Sequence, residues 1–486
     1  MSDQNILNAK YATQTSYPLN ELQTQIVHLG FGAFHRGHQA VYNDLTNQVA
    51  EERWGICEIN MFGDSKLVDD LKEQQLHFTV IEKSASTTTS RLVRTVTEAI
   101  HTPDEGIEVA IAKMVEPQIK IVSLTITEKG YCVDPQTRQL DESNVLIKQD
   151  LQTPRKPCSA IGLIVEALNQ RMQSGMGAFS VMSCDNIPEN GHLTRDAVLA
   201  FAAKRSEELK VWIENNTTFP STMVDRIVPA MTSDQYDVIK QETGYRDPCG
   251  VVCEDFRQWV IEDNFVAGRP SWEKAGAMLV EDVLPYEEMK LRMLNGSHSF
   301  LAYNGSLAGY DYIYECMQDE NFKKATYFLM TQEQAKSLSP KLNVNLEEYA
   351  QLLIERFSNS NIKHKTAQIA MDGSQKLPQR AVDPYLTLLE RGIEPKGLSV
   401  LIAGWLQYVI TTIESGNQLE DPLASVFSLS IKESEDPTTQ ALALLAIEKV
   451  FGTHGTENRR LVDAVTSVFK RIDSEGIQAT VTTITA

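Results

Sequence analysis

The chain has 486 residues, a length that at about 100–200 residues per domain predicts two or three domains. Hydrophobic residues make up 42% and charged residues 23%, which excludes collagen-like, low-complexity and wholly disordered chains. The 45 basic and 65 acidic residues give a formal net charge of −20, so we expect no nucleic-acid partner, because a phosphate backbone would be repelled. An anionic small substrate would also be repelled unless its site gathers cations locally.

Signal and cysteine patterns indicate a cytoplasmic, reduced protein with no membrane partner. Residues 1–14 contain neither a basic nor an apolar signal region, and no later stretch is expected to approach the roughly 18–20 uncharged apolar residues of a membrane span. The seven cysteines are odd in number and scattered, unlike a disulfide framework. Cys249 and Cys253 form a lone CxxxC that would need zinc ligands from elsewhere; the alternative is two buried small hydrophobic residues, and we expect no metal.

The first half of the chain alternates apolar strands with helices. Residues 25–32 (QIVHLGFG) form an apolar run that ends in glycines, and residues 39–48 follow as a helix. Later segments complete the pattern, with strands predicted at 54–61, 77–82, 119–127 and 178–184 and a helix at 159–174. Apolar strands separated by helices favour a mainly parallel sheet covered on both faces.

The pattern changes to helical periodicity at about residue 285. Helices are predicted at 286–303, 321–337, 346–358, 384–391, 397–414, 438–451 and 459–471. The sequence therefore predicts an α/β Rossmann-type nucleotide-binding domain over residues 1–284 and an all-α domain over residues 285–486. Since ligands of open α/β sheets bind at the carboxyl ends of strands, we expect the site there and in the cleft between the domains.

A glycine turn follows the first predicted strand. Two glycines in Gly30-Phe31-Gly32-Ala33-Phe34-His35-Arg36-Gly37 allow backbone N–H groups to approach a pyrophosphate, and Arg36 could add a cation. The third glycine of GxGxxG is absent, so an ordinary turn is the alternative. The acidic residue that holds a ribose hydroxyl would be Glu58 or Asp64, and the spacing does not decide between them. NAD is favoured over NADP, which stays open.

One helix in the second half carries three polar residues among apolar neighbours. At about 100° per residue, Asn295 lies about 140° and His298 about 80° from Lys290, so the three share one arc of an α-helix. Leu291, Met293, Leu294 and Phe300 imply that this helix is buried. A desolvated lysine can act as a general base near neutral pH; the alternative is a structural network in which Lys290 pairs with a carboxylate such as Glu287.

Other candidates lie at predicted strand ends and in one cationic segment. Polar residues follow strands at Thr127 and Glu128, at Asn186 and at Asp225, where a nicotinamide or a substrate would bind or where a solvated turn would suffice. The segment from Lys363 to Arg380 gathers five cationic or potentially cationic side chains, namely Lys363, His364, Lys365, Lys376 and Arg380. Such a cluster is what an anion site in an acidic protein requires, and a solvated helix face is the alternative.

At these residues the sequence resembles the polyol-specific long-chain dehydrogenases, a family that includes mannitol 2-dehydrogenase. The resemblance lies in six long segments spread over most of the chain: IVHLGFGAFHRGHQAVY at 26–42, SLTITEKGYC at 123–132, VMSCDNIPENGH at 181–192, FPSTMVDRIVPA at 219–230, FRQWVIEDNF at 256–265 and KLRMLNGSHSFLAY at 290–303. The segment MDGSQKLPQR at 371–380 is similar to the fructuronate reductase (D-mannonate oxidoreductase) branch.

The resemblance implies metal-free hydride transfer between a secondary alcohol and a ketone with NAD or NADP. It implies that Lys290 is the catalytic base, that Asn186 and Asn295 hydrogen-bond the reacting oxygen, and that His298, Asp225 and Lys376 position the substrate. With Arg380 and His364 these are our candidate catalytic and substrate-binding residues. The candidate cofactor contacts are Gly30, Phe31, Gly32, Ala33, Phe34, His35, Arg36, Asp64, Thr127 and Glu128.

The sequence also departs from the family pattern. Gln368 replaces the arginine of the mannitol-type enzymes, while Lys363, Lys365 and Ala367 replace arginine, arginine and tryptophan of the fructuronate branch. A lysine cannot reproduce the bidentate fork of an arginine. Our leading hypothesis is interconversion of D-fructuronate and D-mannonate. The alternatives are an uncharged polyol or ketose substrate and a non-catalytic dinucleotide or sugar-acid binding protein. A monomer is compatible with the sequence.

Overall fold

The computed structural model describes residues 6–134 and 137–485. The chain divides into two compact units, Met1–Leu284 and Pro285–Ala486, so residues 1–5 of the first predicted domain and residue 486 of the second lie outside the described part. The first unit contains strands and helices, and the described residues of the second contain helices and no strand. The predicted order of an α/β domain followed by an all-α domain is confirmed.

A five-stranded parallel sheet forms the centre of the first unit. Its strands are β1 (Gln23–Leu29), β2 (Trp54–Asn60), β3 (Val96–His101), β4 (Ile121–Leu124) and β5 (Ser180–Ser183). They lie in the order β3-β2-β1-β4-β5, which matches the first five positions of the doubly wound dinucleotide fold. The strand order reverses between β1 and β4, and ligands of such sheets bind at this switch point.

Both faces of this sheet are covered, which explains the almost continuous apolar strands. Val27 of β1 and Val122 of β4 pack into the core that contains the helix Ala160–Gln173. Their neighbours Ile26 and Ile121 point the other way and pack with Trp259 and Trp272. A strand buried on both faces needs apolar side chains at successive positions.

The strand predicted at 77–82 exists but belongs to a different sheet. It spans Phe78–Lys83 and pairs antiparallel with Thr88–Val93 and parallel with Val251–Glu254. The sequence pattern did not separate these strands from the central sheet, because an antiparallel hairpin has the same local composition. The remaining strands are Thr13–Gln14, Thr222–Asp225, Gln258–Glu262 and Met278–Val280.

The helix after the glycine turn begins earlier than predicted. It starts at Ala33, directly after Gly32, is interrupted at His38 and resumes over Gln39–Val49. The other helices of this unit are Lys66–Glu73, Thr102–Glu105, Ile107–Val115, Thr127–Gly130, Val145–Gln152, Ala160–Gln173, Asn190–Arg205, Glu207–Asn216 and Ser233–Thr243, with 3-10 turns at Ile6–Asn8, Leu19–Glu21 and Trp272–Ala275.

The helical unit differs from the predicted series of continuous α-helices at three π-helical segments. These segments are Lys290–Asn295, Leu329–Gln334 and Pro378–Val382, each five or six residues long. The α-helices are Leu284–Met289, Gly296–Leu307, Ile313–Gln318, Glu320–Phe328, Ala335–Ser337, Leu346–Phe357, Thr366–Ala370, Gly373–Leu377, Asp383–Glu390, Lys396–Glu414, Ala424–Ile431, Pro437–Leu445, Glu448–Phe451, His454–Glu457, Arg459–Glu475 and Ile477–Thr482.

The helix Lys396–Glu414 corrects the expectation that no segment approaches the length of a membrane span. Its 19 residues are long and apolar enough to cross a membrane by length and composition alone. Within the helical unit, however, Leu398, Leu401, Trp405 and Leu406 are fully or almost fully buried in the core. Its apolar character is that of a central core helix, because neighbouring helices cover it.

We predict that Arg171 anchors the start of β4. Its guanidinium donates to four backbone oxygens, those of Met114, Glu116, Ile119 and Gly177, at 2.6–3.0 Å. Replacing Arg171 by Leu should lower the free energy of unfolding by about 3 kcal/mol, since buried carbonyls lose their donors.

Urea unfolding measures this change. The exposed Gln173→Leu, two residues along the same helix, should leave the urea midpoint at the wild-type value. Equal midpoints for the two variants would contradict the anchoring role.

Candidate active site

The glycine turn leaves open space where a cofactor phosphate would approach. Gly30 has φ +106°, and a Cβ there would lie 2.2 Å from the Thr125 carbonyl oxygen, so only glycine fits. A Cβ on the exposed Gly32 would meet nothing closer than the Gly30 oxygen at 3.9 Å. Gly30 therefore allows the tight turn, while Gly32 leaves the backbone accessible, as the first two glycines of a dinucleotide turn must.

A buried polar cluster lies beneath the turn. His35 Nε2 is 2.8 Å from Glu58 Oε1, and the His35 ring stacks on His28 with 3.5 Å between ring centroids. His28 in turn contacts Ser123 Oγ and Thr125 Oγ1, both at 2.8 Å. Burial raises the pKa of Glu58 to about 7 and lowers that of His35 to about 3. Glu58 is thus committed to His35, and of the two acidic candidates only Asp64, in the exposed loop after β2, remains available for a ribose.

The structure corrects the role expected for Arg36. Its guanidinium donates to the Cys249 carbonyl oxygen at 2.8 Å and lies over the Phe31 ring, 5.1 Å from the centroid. Arg36 and Phe31 are both buried, so this cation supports the domain core instead of extending toward a phosphate. Phe34 stacks on His38, with 5.0 Å between ring centroids, and both Phe34 and Ala33 are partly exposed.

One carboxylate holds two strand-end loops together at the switch-point edge. Asp185, which follows β5, accepts hydrogen bonds from Ile126 N and Thr127 N at 2.9 Å and from Tyr131 Oη at 2.7 Å. These contacts hold Thr127 in a left-handed conformation with φ 61°. The exposed Asn186 follows Asp185 directly, so the predicted residues Thr127 and Asn186 lie on loops that are bonded to each other.

Two further predicted residues of this unit differ in environment. Glu128 is exposed, next to Thr127. Asp225 is buried at the end of the strand Thr222–Asp225, opposite Gln258 of the neighbouring strand. The adjacent Arg226 is engaged by Glu82 at 2.7 Å and by the Gly37 carbonyl, which makes it part of the core.

Lys290 and Asn295 lie in a π-helical turn of the helical unit. This corrects the prediction that Lys290, Asn295 and His298 share one arc of a continuous α-helix. With i→i+5 hydrogen bonding, residues five apart lie one turn above each other, whereas an α-helix would separate them by about 140°. Lys290 and Asn295 therefore share one side of the segment more closely than predicted. His298 lies in the following α-helix and is buried, with its ring 4.4 Å from Phe357.

Arg380 lies beside this segment. Its Nη1 donates to the Asn295 carbonyl oxygen at 3.4 Å and to Ser299 Oγ at 3.1 Å. Burial lowers the pKa of Arg380 to about 10, so the guanidinium stays charged at neutral pH while being poorly solvated. Among the described residues, no carboxylate forms an ion pair with it.

Three more basic side chains surround the same region. The Lys376 ammonium donates to the carbonyl oxygens of Ile369 and Met371 at 3.2 and 2.5 Å. Burial and the nearby Arg380 lower its pKa. The rings of His298 and His364 lie 5.2 Å apart. Burial, assisted by nearby basic groups, lowers both their pKa values and favours the neutral form of each ring.

This arrangement brings together four predicted residues and separates two others. His298, His364, Lys376 and Arg380 share one electrostatic environment, whereas Lys363 and Lys365 are exposed. In the described chain neither Lys376 nor Arg380 has a carboxylate within ion-pair distance. Partly buried cations that repel each other favour the binding of an anion.

The two cysteines of the CxxxC are buried and contact different backbone oxygens. The Cys249 thiol points to the Leu67 carbonyl oxygen and the Cys253 thiol to that of Ile81, at 3.5 and 3.6 Å. Burial raises the pKa of Cys253 to about 12 and also raises that of Cys249. These contacts and this burial match the alternative of two small hydrophobic core residues.

Several residues of the two regions escaped prediction. Asp185 and Tyr131 stood inside the strand-end segments, but nothing in their spacing marked the bond between them. Tyr303 is buried with its hydroxyl near Arg380, and Arg356 is close enough to lower the pKa of His298. In the sequence, Tyr303 and Arg356 look like ordinary residues of amphipathic helices. The one feature that could have marked them is a polar group on the buried face of a helix.

Comparison with known proteins identifies the family. The family model for the mannitol dehydrogenase Rossmann domain matches residues 24–274, and that for the mannitol dehydrogenase C-terminal domain matches residues 282–473. The chain therefore belongs to the mannitol dehydrogenase family of oxidoreductases, which confirms the resemblance seen in the sequence.

Similar proteins include both uncharacterized and named relatives. The oxidoreductase YdfI of Escherichia coli (strain K12), described as uncharacterized, is 52% identical over 98% of each chain. D-mannonate oxidoreductase of the same organism is 48% identical over 95% of this chain and 96% of its own. The solved Pseudomonas fluorescens mannitol 2-dehydrogenase, a ternary complex with NAD and D-mannitol, superposes with a TM-score of 0.82 at 35% identity and covers 100% of this chain and 99% of its own.

We predict that Gly32→Val abolishes dinucleotide binding without unfolding the protein. Valine fits the extended backbone of Gly32 (φ −82°), but its side chain would fill the space that a phosphate needs. Fluorescence titration with NADH should show a loss of affinity while the melting temperature stays at the wild-type value.

The contrasting variant is Gly30→Ala, whose Cβ would collide with Thr125 and should lower the melting temperature itself. An unchanged NADH affinity in Gly32→Val would show that the turn does not hold the phosphates.

Proposed function

We propose that this protein catalyses the NAD(P)-dependent interconversion of D-fructuronate and D-mannonate. The observation that carries the proposal is the pair of partly buried cations Arg380 and Lys376, neither of which has a carboxylate within ion-pair distance in the described chain. A substrate carboxylate would supply the missing charge in a protein whose net charge is −20. The 48% identity to D-mannonate oxidoreductase supports the same substrate.

The glycine turn fits a dinucleotide. Gly32 is exposed and has room on its Cβ side, so its backbone is accessible to a pyrophosphate. Asp64, exposed after β2, is the residue that we propose for the ribose hydroxyls. Bound there, NAD would supply the hydride acceptor for alcohol oxidation. We favour NAD over NADP, because an acidic residue at this position suits a free 2′-hydroxyl.

The family resemblance assigns the proton chemistry to Lys290. Lys290 is buried, and as a general base it would accept the hydroxyl proton of the alcohol. Asn186 and Asn295 would donate hydrogen bonds to the reacting oxygen, where negative charge develops. His298, neutral because of burial and neighbouring cations, would position a substrate hydroxyl, as would Asp225. No metal is required, because the amide donors polarise the carbonyl.

Arg380 and Lys376 would bind the carboxylate of the substrate. Arg380 uses Nη1 for Asn295 and Ser299, which leaves its other guanidinium N–H groups for a carboxylate. Lys376 would add a second positive charge. Lys363 and Lys365 are exposed, so we do not assign the carboxylate contact to them.

An uncharged polyol is the second candidate substrate. The observation that favours it is that Lys376 and Arg380 both already donate to backbone oxygens, so they could serve the fold of the helical unit alone. The relative solved with D-mannitol shows that the same fold accepts a neutral substrate. Kinetic comparison of acid and neutral substrates separates the two candidates.

We predict that Lys290→Ala lowers kcat for D-mannonate oxidation by at least about 10²-fold, since a positioned general base contributes that much or more. NADH affinity should change little, because the variant leaves the glycine turn intact. Steady-state kinetics combined with NADH titration provide the measurement, and near-normal turnover would rule out Lys290 as the base.

We also predict that kcat/KM for fructuronate exceeds that for fructose by about 10³-fold or more, because a neutral substrate leaves polar groups unpaired. Arg380→Met or Lys376→Met should reduce this ratio mainly by weakening the acid substrate, and added salt should act in the same direction.

The matched control is Lys470→Met, which removes one exposed lysine from the helix Arg459–Glu475 and should leave the ratio unchanged. If fructose or mannitol turns over as well as the acid, the substrate is a neutral polyol or ketose.

A further inference from the structure

The three π-helical turns of the helical unit meet at Gly296. Gly296 directly follows the turn Lys290–Asn295, and a Cβ on it would lie 2.6 Å from Gln334 Nε2 and 3.0 Å from the Arg380 carbonyl oxygen. Gln334 ends the second π turn, and Arg380 lies in the third. Because Gly296 has an ordinary helical φ of −64°, close approach and not backbone conformation requires glycine here.

Gln334 connects the second turn to the first. Its side chain is fully buried, and its Oε1 accepts a hydrogen bond from Ser297 Oγ at 2.9 Å. The other end of the amide, Nε2, lies against Gly296 and has no hydrogen-bond partner within the described chain. A leucine of similar size would fill this space without an unsatisfied N–H, so packing alone does not account for an amide here.

The backbone that carries Gln334 is itself anchored. The carboxylate of Glu333 accepts hydrogen bonds from Gly397 N and Leu398 N at 2.7 and 2.9 Å, at the start of the helix Lys396–Glu414. That helix is the buried centre of the unit. Gln334 thus follows a residue bonded to this central helix, and its side chain contacts Gly296 and Ser297, the first two residues after the turn of Lys290 and Asn295.

We propose that Gln334 is a positioning residue that fixes the π turn presenting Lys290 and Asn295 beside Arg380. This inference rests on the proposed function, in which Lys290 and Asn295 act on the reacting hydroxyl. The contact at Gly296 and the hydrogen bond to Ser297 set the position of the turn, and the bond from Arg380 to the Asn295 carbonyl extends the same alignment to the cation. Single π turns inside α-helices are frequently found at functional sites, which agrees with this role.

The test compares Gln334→Leu with Gln332→Leu, an exposed residue of the same π turn. Gln334→Leu keeps the side-chain volume but removes the amide. It should lower kcat for D-mannonate oxidation by about 10²-fold, the loss that a displacement of about 1 Å can cause, with little change in KM for NAD. Gln332→Leu should retain the wild-type kcat. A lower melting temperature with unchanged kcat in Gln334→Leu would overturn the proposal.

A second measurement does not depend on turnover. In the protein without cofactor, the rate at which acetic anhydride acetylates Lys290, read by peptide mass spectrometry, should change in Gln334→Leu relative to that of the exposed Lys470. It should not change in Gln332→Leu. An unchanged acetylation rate of Lys290 in Gln334→Leu would contradict the positioning role. This outcome is independent of whether Lys290→Ala supports the proposed reaction.

A milder variant covers the case in which Gln334→Leu does not fold. Ser297→Ala removes the same hydrogen bond from the opposite partner and should lower kcat and alter Lys290 acetylation in the same directions, by smaller factors. If Ser297→Ala behaves as wild type in both measurements, the hydrogen bond does not position the turn and the proposal fails.

Discussion

The helical unit holds Arg380 and Lys376 as partly buried cations without a carboxylate partner among the described residues. Burial lowers the pKa of both cations, and Arg380 lowers that of Lys376 further. Asp372 and Asp421 lie near enough to Lys376 to raise its pKa, but neither is within ion-pair distance of Lys376 or Arg380. Burial and Arg380 outweigh these carboxylates at Lys376, and an anionic ligand bound there would stabilise both cations.

The irregular segments of both units are held by buried polar groups. Asp185 bonds the loop after β4 to the loop after β5, and Glu333 caps the central helix Lys396–Glu414. In each case a carboxylate accepts hydrogen bonds from backbone N–H groups that have no partner within a helix or sheet. Buried backbone N–H groups need such acceptors. Of the candidate residues, Asn186 directly follows Asp185. The turn that carries Lys290 and Asn295 is followed by Gly296 and Ser297, which contact Gln334, the residue after Glu333. Buried carboxylates thus order backbone close to three of the candidate residues.

Much of this fold could be predicted from the sequence, because burial on both faces leaves a strong apolar signal. Strands β1, β2, β4 and β5 follow from that signal, as does the glycine turn. Strand β3 did not, since Thr97 and Glu98 interrupt its apolar run at the edge of the sheet. The longer helices of the second unit also followed from their periodicity, whereas short helices such as Ile313–Gln318 and Ala424–Ile431 did not. The π turns were missed because i→i+5 bonding changes the backbone without changing the composition.

The sequence named the candidate residues of the site, but it did not show where their side chains point. The residues Gly30, Gly32, Asn186, Lys290 and Arg380 were named from motifs, but a motif does not specify where a side chain points. Arg36 turns into the core toward Cys249, although its place in the glycine turn suggested a phosphate contact. Asp185 was passed over because its function depends on a loop about 60 residues earlier, at the end of a different strand.

In the proposed reaction, one hydrogen bond would link the residue that binds the carboxylate of the substrate to the residue that binds its reacting oxygen. Arg380, expected to bind the carboxylate, donates to the carbonyl of Asn295, whose side chain is expected to hold the reacting oxygen. A substrate anchored by its acid group would then bring one particular carbon to the base, because the cation and the amide move together. This alignment favours a sugar acid of fixed length over both a shorter acid and a neutral polyol. Because the rate depends on the alignment of the reacting atoms as well as on binding, Arg380 would influence both turnover and substrate affinity.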